Sequence, residues 1–188
     1  GKKWPATPAM CRWIRQRFCL PDCSDDEAMA GCACLLAFFF LLRSSEYCGG
    51  QGKPWQVDRV LRGADVIPRL KGKTVTSFAD ADEVVIFIRG SKTDQFNEGQ
   101  VRNHFWSGVE LCPVAVTLCE ELQRRFPERF AGEAHLPLFR HTDGKMLARE
   151  EVGAIAKLSA IAVGTDPAET DSHSFRSAGA SAMINAKV

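Results

Sequence analysis

From Ala28 to Leu42 the chain runs for fifteen residues without a charged side chain, ending in Leu35-Leu36-Ala37-Phe38-Phe39-Phe40-Leu41-Leu42. That falls short of the roughly 20 apolar residues that cross a bilayer. Asp25, Asp26 and Glu27 precede the stretch and Arg43 follows it, and acids are stabilising beside the positive end of a helix. The pattern therefore predicts a helix over about Asp25 to Leu42, buried on nearly all sides, with other elements packed around it. A chain of 188 residues, 45% of them hydrophobic and 25% charged, is long enough to form one domain with a real core. No membrane span is expected.

The remaining elements follow from punctuation and period. Thr7-Pro8 opens a first helix to about Phe18, and Pro21 to Ser24 breaks it. Cys48 to Pro54 is polar and glycine-rich, and Val57 to Leu61 predicts a short helical turn leading into Ala64 to Ile67. Glu83 to Arg89 is β-branched and apolar, and Val101 to Trp106 is its partner across a long tip, which predicts an antiparallel hairpin. Helices are predicted at about Pro113 to Phe126, Leu147 to Ile161 and Phe175 to Ala186. The expected fold class is mainly α (α+β): a helical core carrying one small antiparallel β-sheet.

Eight cysteines raise the question of a disulfide framework or a metal site. Cys32 and Cys34 stand one residue apart, Cys19 and Cys23 three, and Cys112 and Cys119 six, with no CxxC pair or Cys/His quartet. These spacings predict buried, reduced thiols in an intracellular setting, with no metal and no cofactor. The compartment would be the nucleus in a eukaryote and the cytoplasm in a bacterium or phage. A net charge of +1 means that any attraction to nucleic acid must come from local patches. Lys2, Lys3, Arg12, Arg15 and Arg17 form one, with no acid among residues 1–20. It reads either as a solvated helix face or as a DNA contact.

The residues able to do chemistry share a sign. Arg43 ends the apolar helix, Lys92 lies at the hairpin tip, and His173 with Arg176 opens the last helix. Singly, each has an ordinary reading: a partner for the helix dipole, a solvated tip lysine, a surface pair. Together, two guanidiniums, an ammonium and an imidazole suit a pentacoordinate phosphate, gripping its oxygens and moving its protons without requiring a metal.

Order and wording add a resemblance. Leu41-Leu42-Arg43-Ser44-Ser45-Glu46 resembles the first arginine box of the tyrosine recombinase (phage integrase) family. Ser91-Lys92-Thr93-Asp94-Gln95 resembles its lysine-bearing hairpin, and His173-Ser174-Phe175-Arg176-Ser177-Ala178-Gly179-Ala180 its HxxR box. Leu61 to Val66 also resembles the family's lead into the sheet. The wording is most similar to recombinases of eukaryotic mobile elements of the DIRS or Crypton type. The resemblance implies an integrase-like catalytic domain over residues 7–188, with residues 1–6 as a linker remnant. It implies that Arg43 and Arg176 clamp a scissile phosphate, Lys92 is the general acid, His173 assists proton transfer and Glu46 supports Arg43. Duplex DNA would be the substrate, self-association on DNA is expected, and cleavage would pass through a 3′-phosphotyrosyl intermediate.

In that family a second His or Trp and then the nucleophilic Tyr follow the HxxR box at a distance, whereas twelve residues follow Arg176 here. The only tyrosine is Tyr47, beside the first arginine box. The expectation is a catalytic core cut off before its nucleophile and inactive alone. Three alternatives stay open: a type IB topoisomerase core, a DNA-binding module that has lost catalysis, and a helical interaction domain whose cations coincide by chance.

Overall fold

Thr7 caps the first helix, α1 (Pro8–Phe18), by accepting the Met10 N–H on its hydroxyl at 3.2 Å. Ser24 and Glu27 form a reciprocal box at the start of the second, α2 (Asp25–Phe39): the Glu27 N–H donates to the Ser24 hydroxyl and the Ser24 N–H to the Glu27 carboxylate. Such boxes satisfy the N–H groups that a helix start leaves without partners. In this computed structural model the described residues are 4–49, 59–90, 99–105 and 112–185.

Every residue of α2 from Ala28 to Phe39 is buried. Around it pack α1 and three later helices, α4 (Cys112–Arg125), α5 (Arg149–Ala162) and α6 (Ser174–Asn185). A one-turn helix, α3 (Ser44–Tyr47), follows α2 closely. The layout answers the sequence directly: an all-apolar helix is stable only when neighbours cover each face. Among the described residues no helix is long and apolar enough to cross a membrane.

Four strands form an antiparallel sheet beside the helices: β1 (Val66–Leu70), β2 (Lys73–Thr74), β3 (Glu83–Ile88) and β4 (Gln100–Phe105), in the order β2-β1-β3-β4. Val84, Ile86 and Ile88 are essentially inaccessible, so alternate positions of β3 face the helical layer. Ile86 pairs with Val66 on one side and with Arg102 on the other. Directly opposed residues in a sheet share a face, which places Arg102 on the core side while Val101 is exposed.

Three boundaries differ from expectation. The first is α2, which stops at Phe39 rather than Leu42, because Leu41 takes a left-handed φ of 55° and the Leu42 N–H turns back to the Ala37 carbonyl. This is the usual geometry of a helix stop, but with leucine where glycine is favoured. Leu147 lies before α5 rather than in it, since its N–H is given to the Phe139 carbonyl. Of the turn expected at Val57 to Leu61, residues 57 and 58 lie outside the described residues, and Leu61 links Glu46 to Leu138 through backbone hydrogen bonds instead of continuing a helix. Trp4 and Ala6, expected as part of a linker remnant, are strapped to the domain: their N–H groups donate to the carbonyls of Glu169 and Ser174, and Ala6 is buried.

Seven cysteines are free thiols among the described residues, five of them buried. Burial pushes Cys11 up to about 12 and raises Cys34 and Cys119 as well. Cys19 is the exception. Its sulfur lies 3.9 Å from that of Cys32, and a hydrogen bond from the Cys32 thiol holds it below the ordinary thiol value, helped by Arg15 and Arg125. Since the thiolate is the reactive form, iodoacetamide at neutral pH is expected to label Cys19 and the partly exposed Cys23 first. Cys11, Cys32, Cys34, Cys48 and Cys119 should react only on unfolding. Peptide mass mapping after brief labelling checks this, and prompt labelling of Cys34 would contradict the packing.

Candidate functional site

The end of α2 gathers arginines. Arg43 stands just before α3 with an extended backbone. Glu46, three residues on and only 3% exposed, reaches back to it: the Arg43 N–H donates to one carboxylate oxygen at 2.7 Å and the guanidinium to the other at 3.4 Å. Glu46 thereby fixes the direction in which Arg43 leaves the backbone.

Arg176 comes from α6. Its Nη1 donates to the Leu41 carbonyl at 2.8 Å across 135 residues of chain. Gly179, one helical turn later, explains how α6 comes so close. A Cβ at that position would lie 2.2 Å from the Phe38 carbonyl oxygen and 2.4 Å from Leu41 Cδ2, so only glycine lets the two backbones meet. Burial and then the charge of Arg43 lower the Arg176 pKa, with Glu46 opposing, so both residues lie within electrostatic reach of Arg176.

Arg102 joins them from the sheet. Its Nη1 donates to the Phe40 carbonyl and, at 2.8 Å, to that of Leu41. Burial, Arg176 and Arg43 all lower its pKa, and Glu46 raises it. The carbonyl of the strained Leu41 thus accepts from two guanidiniums, one brought by α6 and one by β4. Sequence reasoning passed over Arg102 because a lone arginine in a hairpin strand looks solvated. Only the pairing with buried Ile86 turns it inward.

Neither protein-family models nor curated proteins match the chain.

The other candidates fall as follows. His173 lies three residues before Arg176 at the start of α6, exposed, with its backbone N–H donated to the Asp171 carboxylate at 2.8 Å. It shares a helical turn with Arg176. Lys92 lies outside the described residues, as do Lys2 and Lys3. Arg12 and Arg15 are exposed and, with Gln16, Cys19 and Leu20, line a separate cleft of about 380 Å³. Arg17 is engaged in part, 3.6 Å from Glu27 and over the Phe18 ring.

A larger cleft of about 500 Å³ contains Arg129, Arg140 and His141, but its charges are spent on the fold. Arg140 pairs with Glu133, His141 Nε2 lies 2.8 Å from Glu151, and Arg129 donates to the Leu138 carbonyl while stacking on Phe126. No group of three His, Cys, Asp or Glu among the described residues is arranged to hold a metal ion.

Tyr47 is fully buried, edge-on to Phe139 with ring centroids 5.9 Å apart. Burial raises its phenol well above the usual value. A phenol that neither ionises readily nor meets solvent cannot attack a bound phosphate.

Proposed function

We propose that this chain is the phosphate-binding core of a tyrosine recombinase-like DNA strand-exchange enzyme. One observation carries the reading: Arg176, far from Arg43 in sequence, is seated on the carbonyl of Leu41, two residues before Arg43 and within electrostatic reach of it, while Glu46 holds Arg43. Paired guanidiniums with few opposing acids suit the nonbridging oxygens of a DNA phosphodiester.

In the reaction this implies, a tyrosine oxygen from outside these 188 residues attacks phosphorus and forms the P–O bond of a 3′-phosphotyrosyl ester. The bond to the 5′ oxygen breaks, and the Lys92 ammonium gives that oxygen its proton. Arg43 and Arg176 hold the charge that grows on the nonbridging oxygens, and His173, one turn before Arg176, assists proton transfer by accepting the proton that the tyrosine hydroxyl gives up. Rejoining reverses each step. Arg12 and Arg15 extend the contact along the duplex backbone, and copies of the protein associate on DNA.

The test uses the chain with duplex DNA over a range of salt concentrations. Affinity should fall steeply with salt, and Arg43→Gln or Arg176→Gln should each reduce the log–log slope by about 1, the signature of one lost phosphate contact. Binding that is absent or indifferent to salt would sink the proposal. The chain alone should form no covalent adduct with a nicked substrate, and an adduct mapping to Tyr47 would overturn the assigned roles. In a longer protein that supplies the nucleophile, Lys92→Ala should slow cleavage far more than it weakens binding, because a general acid acts in the transition state. Equal losses would make Lys92 a phosphate-positioning residue instead.

A further inference from the structure

Arg102 is placed by two independent features. Its pairing opposite Ile86 turns it toward the helical layer, and its Nη1 bridges the carbonyls of Phe40 and Leu41. Its Nη2 also donates to the Gln100 side chain at 3.3 Å, so the guanidinium is held at both ends. Arg176 uses the same Leu41 carbonyl, also at 2.8 Å, so the two Nη1 atoms lie within twice that distance of each other.

Carbonyl oxygens satisfy donors but carry no net charge. Among the described residues, Glu46 is the carboxylate that acts on the cluster, and its hydrogen bonds go to Arg43. Three guanidiniums and one carboxylate leave a surplus of positive charge at a half-exposed position, which an anion with several oxygens relieves best.

We propose that Arg102 is a positioning residue of this site: it fixes the Leu41 carbonyl on which Arg176 is seated and adds a third positive charge for a phosphate oxyanion. The ligand is a phosphodiester of the DNA backbone, an assignment that rests on the reading given under Proposed function. Arg102 also ties the start of β4 to the arginine pair, since that strand begins two residues before it.

The experiment titrates the chain with inorganic phosphate, followed by 15N NMR of arginine Nε–H groups, and compares Arg102→Gln, Arg102→Lys and, as a control, Arg124→Gln. Arg124 is an exposed arginine paired with Glu121 next to Arg125, which pairs with Asp25 at the opposite end of α2. Phosphate should shift the Nε–H signals of Arg43, Arg102 and Arg176. Arg102→Gln should weaken phosphate at least about 10-fold, in keeping with loss of a charge-assisted contact, Arg102→Lys should recover part of that loss, and Arg124→Gln should change nothing.

Unchanged phosphate affinity in Arg102→Gln would overturn the proposal. So would shifts at Arg43 and Arg176 with none at Arg102, a readout that does not depend on any variant folding. Affinity lost in both variants only in proportion to lost thermal stability would reduce Arg102 to a helix cap and would likewise overturn it. Duplex DNA separates this inference from the functional reading. Phosphate bound in an Arg102-dependent way without DNA binding would keep the site and remove the DNA assignment. Salt-dependent DNA binding that needs Arg43 and Arg176 but ignores Arg102 would do the reverse.

Discussion

Tyr47→Ala should lower stability by about 3–5 kcal/mol, the usual range for emptying a large aromatic site in a core, whereas Tyr47→Phe should leave stability unchanged or raise it by up to about 1 kcal/mol. The ring fills a fully buried position against Phe139, and its removal leaves a cavity beside α3. The hydroxyl contributes differently. Among the described residues it has no hydrogen-bond partner by geometry, although the adjacent Cys48 thiol is its polar neighbour and raises its pKa slightly further. Thiols are weak hydrogen-bonding groups in any case. A buried hydroxyl without a good partner pays its desolvation cost without return. Urea unfolding of the three proteins checks both halves. A Tyr47→Phe variant destabilised by more than about 1.5 kcal/mol, a typical net hydrogen-bond contribution, would mean that the hydroxyl is held in a strong bond.

Gly179→Ala is the second substitution expected to have a large effect. The added carbon would sit 2.2 Å from the Phe38 carbonyl oxygen and 2.4 Å from Leu41 Cδ2. The leucine tip can turn aside, but the carbonyl belongs to the end of the most buried helix and cannot. Overpacking of this kind costs about 1–3 kcal/mol, and the upper end is expected here. The melting temperature should fall by about 5–10 °C for a domain of this size. Because α6 must back away, Arg176 should also lose its seat on Leu41, so the phosphate affinity proposed for the cluster should drop with stability. A variant that melts like the unsubstituted chain would show that α6 does not lie this close.

Legibility from sequence divided along a physical line. The buried helix, the capped starts of α1 and α2, the hairpin and the placing of Arg176 at the opening of a helix were legible, because each depends on local period or on a side chain meeting a nearby backbone group. The stop at Phe39 was not, because it requires leucine in the left-handed region, a conformation costing about 1 kcal/mol or more that no local residue announces. Nor was Arg102: its direction depends on which residue of β3 it opposes, and register is a tertiary property. Glu46 entered as a support for Arg43 only through the resemblance of the Arg43 to Glu46 stretch to an arginine box, and the hydrogen bonds that tie it to Arg43 come from the structure.

The strained turn at Leu41 also orders events in time. Its carbonyl is made before the guanidiniums that stabilise it, which belong to residues 61 and 135 positions later. Until α6 is synthesised, α2 can pack against α1 and β4 can bring Arg102, yet the turn lacks one of its two holders and the first residues of the chain lack Glu169 and Ser174 to fasten them. Closing loops of that length is entropically slow. The arginine cluster at Leu41 should therefore be among the last parts of the domain to form and, on partial opening of α6, among the first to come apart.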